Sequence, residues 1–144
     1  IHSCFGINCK FTEMQAVIGL VQLEGIEFRV RSKKEMFNLY REQLGKVPEI
    51  QFLATDLSLV TPWFVDIFVE TPTELKQFLE TKNIKTRLIY PPINSQEAYK
   101  PINGWSFPVT KKLSSRGIWL PSSLTLRDED IIYICNSIKE FYAK

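Results

Sequence analysis

The sequence predicts a small α+β domain in which helices cover a sheet of three or four strands. Its 144 residues fit one domain and make two independent cores unexpected. Hydrophobic residues make up 44% and charged residues 24%, which is typical of a globular chain and argues against disorder. Several stretches begin with helix-capping residues, and behind each cap the apolar residues recur at helical spacing. The β-branched and aromatic runs between these stretches are short.

Two capping boxes predict the first two helices. Thr12 is followed three residues later by Gln15, and Ser32 is followed in the same way by Glu35. The apolar residues behind the caps recur at steps of three and four, namely Met14, Val17, Ile18 and Val21, then Met36, Phe37, Tyr40 and Leu44. The first helix is apolar nearly all round, which predicts burial on several sides by its own domain or by a partner. Gly25 leaves open whether these stripes form one bent helix or two.

Three further helices are predicted. Thr71 precedes Pro72, which suits the first position of a helix. Thr125 precedes an acidic helix start. The apolar stripes behind these starts are Leu75, Phe78 and Leu79, then Ile131, Ile134, Cys135, Ile138 and Tyr142. Residues 108–116 form another candidate helix, closed by Gly117.

The strand candidates are few. Residues 63–69 are rich in aromatic and β-branched side chains, residues 84–90 alternate loosely, and residues 118–120 form a short run. Residues 50–53 are a candidate edge strand. The sequence Pro91-Pro92-Ile93-Asn94 predicts a rigid, non-helical turn after the second run. The expected architecture is therefore a three- to four-stranded, mainly antiparallel sheet with a long helical segment leading in.

Composition excludes several classes of function. A formal net charge of +2 is too even to indicate binding to nucleic acid or to an anionic membrane. No apolar run reaches the roughly 18 residues that a transmembrane helix needs.

The three cysteines show no disulfide spacing, which predicts reduced thiols and a cytoplasmic location. His2, Cys4 and Cys9 lack a fourth ligand, so no metal site is expected. The first residue is Ile1, so we expect a fragment, an excised domain or a processed product.

Two segments could carry chemistry. In the first, the amide of Asn8 and the cation of Lys10 precede a helix start, where backbone N–H groups favour an anion. A capped helix entry with solvated polar groups is the simpler interpretation. In the second, Arg87 could hold a carboxylate or phosphate through two hydrogen bonds, and Tyr90 could stack on a planar ring. An exposed strand arginine and a half-buried tyrosine would explain the same residues.

Other conspicuous side chains are expected to be structural. Lys33-Lys34 is interpreted as a solvated helix face. The three tryptophans, Trp63, Trp105 and Trp119, are expected to belong to the core and not to form a ligand platform.

Read together, these segments resemble one enzyme family. Residues 6–16 carry the Gly-Ile-Asn-Cys-Lys-Phe-Thr-Glu-Met-Gln-Ala run, and Ile84-Lys85-Thr86-Arg87 is followed by Tyr90-Pro91-Pro92. These motifs, with Leu39-Tyr40-Arg41 and Leu120-Pro121, are similar to those of the DegT/DnrJ/EryC1/StrS sugar aminotransferases, which depend on pyridoxal 5'-phosphate (PLP). The resemblance covers essentially the whole chain. It implies the small C-terminal domain of the aspartate-aminotransferase fold, with residues 1–46 as a lead-in from the large domain and 47–144 as the small domain.

The resemblance also implies where the chemistry lies. The lysine that forms a Schiff base with PLP would lie upstream, so no catalytic residue is expected in this chain. Enzymes of the family are homodimers with shared active sites. By this likeness Asn8 reaches the cofactor phosphate of the other subunit, and Lys10 stands near the same anionic region. Arg87 and Tyr90 match the loop that borders the nucleotide-sugar substrate, but Asn94 replaces the histidine of the family pattern.

The resemblance thus implies amino-group transfer from an amino acid, expected to be glutamate, to a keto-sugar nucleotide. Two alternatives stay open. A PLP-dependent sugar dehydratase of the same family would keep the fold and cofactor, and a non-catalytic dimerisation or binding module would keep the fold alone.

Overall fold

The computed structural model describes residues 9–97 and 106–143. In these ranges the helices are α1 (Glu13–Glu24), α2 (Ile26–Leu44), α3 (Pro72–Thr81), α4 (Pro108–Arg116) and α5 (Asp128–Tyr142). The strands are β1 (Val65–Phe68), β2 (Arg87–Leu88) and β3 (Gly117–Leu120). None of the described helices combines the length and hydropathy that crossing a membrane requires.

The first helix begins where its capping box predicts. Thr12 Oγ1 accepts a hydrogen bond from the Gln15 backbone N–H at 3.3 Å, and Gln15 Oε1 accepts one from the Thr12 N–H at 2.9 Å. The helix ends at Glu24, and α2 begins at Ile26, so Gly25 separates two helices. The predicted start at Ser32 is wrong. The Arg29 N–H already donates to Gly25 O at 3.2 Å, so the helical ladder is formed before that residue.

The later helices match their predicted positions with one shift. α3 begins at Pro72, and α4 spans residues 108–116 as expected. α5 begins three residues beyond the predicted cap at Thr125. There the Asp130 carboxylate accepts from the Arg127 N–H at 3.0 Å and also contacts its guanidinium, which fixes the first turn. A charged pair thus supplies the cap instead of a hydroxyl group.

The sheet has the order β1-β3-β2, and both strand pairs are antiparallel. Within the described residues it has three strands, the lower of the two predicted numbers. The candidate edge strand at residues 50–53 reduces to a single bridge between Gln51 and Phe68, and residues 84–90 contribute only two strand residues. The turn after β2 contains one short 3₁₀ segment, Ile93–Ser95, so the expectation that it is wholly non-helical is wrong.

The two faces of the sheet differ. Val65, Ile67, Ile118 and Leu120 are at most 2% exposed and form a core with α2, α3 and α5. On the opposite face, Trp119 lies between Asp66 on β1 and Arg87 on β2, because both pair with it directly. Close packing between strands requires Gly117, since a Cβ there would lie 2.1 Å from Ile89 Cδ1. One face of the sheet therefore forms the core, and the other displays polar and aromatic groups.

Helix α1 is rich in apolar residues, yet none of its residues is buried. Met14 is 76% exposed and Leu20 is 63% exposed. Its neighbour α2 contributes Met36, Phe37, Tyr40 and Leu44 to the core only from its second half. The described residues therefore do not supply the burial that the apolar surface of α1 predicts.

Candidate functional site

The structure places the predicted site residues on two parts of the chain. Lys10 is exposed and lies two residues before the α1 cap, whereas Asn8 lies outside the described residues. Arg87 begins β2, Tyr90 follows that strand, and Asn94 lies in the 3₁₀ turn. All three are exposed. The structure brings Arg87 and Tyr90 into direct contact.

Arg87 is stacked on aromatic rings. Its guanidinium carbon lies 4.5 Å from the centroid of the Tyr90 ring and 5.9 Å from that of Trp119. Tyr90 meets Trp119 edge-on, with ring centroids 4.9 Å apart and an interplanar angle of 88°. The π-faces of such rings attract a cation, and the guanidinium carries N–H donors that suit an oxyanion. The arrangement thus holds Arg87 beside Tyr90 and Trp119 as a candidate anion-binding residue.

The aromatic contacts extend along the sheet toward β1. The Phe64 ring stacks on Trp119 at 4.3 Å and 11°, and Trp63 stacks on Phe64 at 5.7 Å and 8°. We call Trp63, Phe64, Tyr90, Trp119 and Arg87 the aromatic face. Trp63 ends the stack and is 79% exposed, so the prediction that it belongs to the core is wrong. Trp119 is half-buried on the outer face of the sheet, and Trp105 lies outside the described residues.

Asp66 lies beside the middle of the aromatic face. It pairs with Trp119 across the sheet. Burial raises the pKa of the Asp66 carboxyl, and its interaction with the Trp119 side chain opposes that rise. The carboxyl group is therefore next to the indole ring against which Arg87, Tyr90 and Phe64 pack.

Lys33 binds the backbone of the aromatic face, so its interpretation as part of a solvated helix surface is wrong. Its Nζ donates to the Trp63 carbonyl oxygen at 2.9 Å and to the Ser122 carbonyl oxygen. Desolvation by burial lowers the Lys33 pKa. The backbone at Trp63 is therefore held by a partly buried cation on α2 while its side chain faces outward. Lys34, the other half of the pair, is half-buried.

Thr86 and Asn94 are polar residues close to Arg87 in the sequence. Thr86 Oγ1 is buried and has no hydrogen-bond partner in the structure. Asn94 lines a cavity of about 620 Å³ together with Pro92, Phe107 and Lys111. An amide and a cation around one cavity suit a ligand that carries hydroxyl or phosphate oxygens.

Sequence reasoning missed the support for Arg87, although a signal was present. In the run from Phe64 to Ile67, apolar Val65 and Ile67 alternate with Phe64 and Asp66. A carboxylate at alternate positions of a strand indicates an outer face. The pairing of that face with Trp119 depends on strand register, which no local pattern reveals.

Comparison with known proteins decides the family. The model of the DegT/DnrJ/EryC1/StrS aminotransferase family matches residues 1–139. The chain belongs to this family. The GDP-perosamine synthase of Escherichia coli O157:H7 is 33% identical over 145 residues, which cover 99% of this chain and 39% of that enzyme. The GDP-perosamine synthase of Vibrio cholerae is 28% identical over 147 residues, covering 98% of this chain and 40% of that enzyme.

Solved structures agree on the fold. A DegT DnrJ EryC1 StrS aminotransferase from Brucella abortus is 26% identical, with a TM-score of 0.76, and the match covers 91% of this chain and 36% of that one. DesV of S. venezuelae has a TM-score of 0.85 at 20% identity, over 100% of this chain and 40% of DesV, which shows the fold alone. The chain thus has the small C-terminal α+β domain of the aminotransferase fold. It spans about two fifths of the length of the curated relatives it matches.

The family's aminotransferases depend on PLP. Among the described residues, Lys10 is an exposed cation on the approach to the N-terminus of α1, a position that favours an anion. That chemistry fits a contact with the phosphate group. Within residues 9–97 and 106–143, no group of three or more histidine, cysteine or acidic side chains could hold a metal ion.

Proposed function

We propose that this chain is the C-terminal part of a PLP-dependent nucleotide-sugar aminotransferase. The whole enzyme would move an amino group from an amino acid, glutamate in this proposal, to a keto-sugar nucleotide. The observation that carries the proposal is the family match over residues 1–139, together with 33% identity to a GDP-perosamine synthase. We further propose the division into a lead-in, 1–46, and a small domain, 47–144, and a cytoplasmic location.

Arg87 is proposed to bind the diphosphate of the sugar nucleotide. Its guanidinium lies against the rings of Tyr90 and Trp119, and its N–H groups are the proposed donors to the phosphate oxygens. Because an aromatic contact limits the rotamers of the arginine, less conformational entropy is lost when the anion binds. Tyr90 and Asn94 are proposed to border the sugar.

Asn8 and Lys10 are proposed to bind the cofactor phosphate of the other subunit in a homodimer. An amide donor and a cation are suited to a phosphate dianion near a helix N-terminus. PLP, when bound, supplies the electron sink for amino-group chemistry, and the protein binds and orients the reactants. The Schiff-base lysine is proposed to lie outside these 144 residues.

Kinetics of the full-length enzyme test the role of Arg87. R87A should raise KM for the nucleotide sugar by about 10- to 100-fold, because a charge-assisted phosphate contact is lost. It should change kcat only slightly, since the contact is made equally in ground state and transition state. R87K should recover part of the loss. R127A, which removes an arginine at the start of α5, is the control and should leave KM unchanged.

The shared site is tested by mixing two inactive variants. One subunit carries N8A, and the other lacks the upstream Schiff-base lysine. A mixed dimer regains one intact site if Asn8 serves the cofactor of the neighbouring subunit. If mixing restores no activity although mixed dimers are isolated, Asn8 acts within its own subunit. If N8A is active on its own, Asn8 does not serve the cofactor.

A further inference from the structure

The aromatic face ends in an exposed tryptophan, Trp63. Trp63 is 79% exposed, yet its ring is almost parallel to that of Phe64, at an angle of 8°, and Phe64 is almost parallel to Trp119, at 11°. The three rings form a continuous stack whose outer indole face is open. A flat, exposed aromatic surface of this kind is the chemistry that binds nucleobases, because every base offers a π-face.

The backbone under this indole is unusually well held for an exposed residue. The Trp63 carbonyl oxygen accepts from Lys33 Nζ at 2.9 Å and from Ser122 Oγ at 3.4 Å. Lys33 also donates to the Ser122 carbonyl oxygen, so it joins α2, the segment before β1 and the segment after β3. A ligand that stacks on a ring fixed in this way needs to order little of the protein.

Charge on the same face indicates what the ligand carries besides a planar ring. Arg87 is directly opposite Trp119 in the sheet, and its guanidinium lies 5.9 Å from the Trp119 ring. The stack therefore has a cation on one side and an open aromatic ring at its other end. A nucleoside diphosphate matches this order of groups, with phosphates that suit the cation and a base that suits the ring.

We propose that Trp63 is the stacking platform for the base of the sugar nucleotide, with Arg87 binding its diphosphate on the same face. This proposal rests on the proposed function and names the part of the substrate that the face recognises. Lys33 is a positioning residue that holds Trp63 through the backbone. Other parts of the full-length protein could pack on Trp63 instead, and the experiment separates the two occupants.

Binding to the full-length holoenzyme tests the platform. GDP and dTDP are titrated by calorimetry, the tighter of the two serves as the probe, and inorganic pyrophosphate reports on the phosphate contact alone. W63A should weaken the nucleotide by about 5- to 100-fold, the loss of one base-stacking contact. It should change pyrophosphate binding by less than twofold. W63F should keep most of the affinity, whereas R87A should weaken both ligands.

F28A is the matched control, because Phe28 is an exposed aromatic residue on α2, 58% accessible, and lies outside the aromatic face. It should leave both affinities unchanged. If W63A lowers Tm and leaves nucleotide affinity intact, Trp63 packs against protein and the platform is wrong. Equal losses of affinity for the nucleotide and for pyrophosphate in W63A would also overturn the stacking platform. If the wild-type enzyme binds neither of these nucleotides nor UDP, the proposed function itself fails, and the two failures are thereby distinguished.

Discussion

Helices α1 and α5 are both rich in apolar residues, but only one of them is packed. In α5 the buried residues Ile131, Ile134, Cys135 and Ile138 lie on one side, while its exposed positions are mostly charged or polar. In α1 the apolar residues surround the helix, and none is buried. Apolar content therefore does not decide whether a helix joins the core. A one-sided stripe matches the sheet and its covering helices, whereas an all-round apolar surface needs more protein than this domain offers.

The contrast agrees with the length of the match to known enzymes. The domain body, from the second half of α2 to α5, forms one core, so the end of the proposed lead-in 1–46 packs with the proposed small domain. Helix α1 displays apolar surface, and the chain corresponds to about two fifths of its curated relatives. We therefore expect α1 to be covered by the remainder of the enzyme or by the second subunit.

The largest expected effect is the difference in unfolding free energy between a substitution in the core and one in α1. Ile118 is fully buried in the middle strand, so I118A should lower the free energy of unfolding by about 2–5 kcal/mol. Ile18 in α1 is 58% exposed, so I18A should change it by less than about 0.5 kcal/mol in the 144-residue chain. Urea denaturation measures both. In the full-length enzyme I18A should become clearly destabilising, and an equally small effect there would contradict a covered α1.

A smaller effect tests how tightly the second half of α2 joins the body. The fully buried Tyr40 donates its hydroxyl proton to Pro121 O at 2.9 Å. Y40F should lower the free energy of unfolding by about 1–2 kcal/mol, because the Pro121 carbonyl oxygen loses its buried hydrogen-bond donor. Y133F is the control, since the hydroxyl of Tyr133 donates to Lys82 O at 3.3 Å from a side chain that is 52% exposed. Thermal unfolding should show a clear loss of stability for Y40F alone.

The pH dependence of stability tests the packing of α5. Burial raises the pKa of the Cys135 thiol from 9.0 to about 12. The unfolded chain therefore releases this proton at lower pH than the folded chain. The stabilising contribution is complete below pH 9 and is lost as pH rises toward 12, by about 1.4 kcal/mol per pH unit at most.

The variant C135A should lose that part of the alkaline slope. Tyr142 keeps its own contribution in both proteins, because burial also raises its pKa to about 12. Unfolding free energies at pH 8, 9 and 10 provide the comparison. Identical slopes for C135A and the wild type would show that the thiol is accessible to solvent, and α5 would then resemble α1 more than the structure indicates.

The smallest effect is expected at the surface of α3. Lys76 Nζ and Glu80 Oε1 are 2.5 Å apart, one helical turn from each other. The partners are 32% and 50% exposed, so solvent screens the pair. E80Q should lower the free energy of unfolding by no more than about 0.5 kcal/mol. Most of that difference from the wild type should vanish in 1 M salt. A cost above 1 kcal/mol in thermal unfolding would contradict the conclusion that solvent screens this pair.

Local signals predicted the elements well where the deciding interaction is short-range. The cap at Thr12, the helix start at Pro72 and the stop before Gly117 follow from residues within four positions of each other. Ser32 has the same capping pattern as Thr12 but lies inside α2, because the preceding turn is already helical. A capping motif is therefore informative only where the chain before it leaves the helix.

The site was less predictable, because its geometry depends on distant pairings. Arg87 and Tyr90 were identified from their motif, and the structure brings them together. Trp63 and Lys33 were interpreted as core and solvated surface, respectively. Their contact joins residues 30 positions apart, and Trp119 meets Arg87 only through the strand register. Hydrophobicity predicts burial on average, but it cannot say which face of a short strand a ring joins.

Transfer of labelled nitrogen is the most direct test of the central claim. The full-length enzyme is loaded with PLP and given ¹⁵N-glutamate with a GDP-linked keto-sugar, and the sugar nucleotide is analysed by mass spectrometry. We predict an amino sugar that carries ¹⁵N. A sugar that has lost water and gained no nitrogen would contradict aminotransfer and favour the dehydratase. An unchanged sugar, with a folded protein that binds no cofactor, would contradict the account in favour of a binding module.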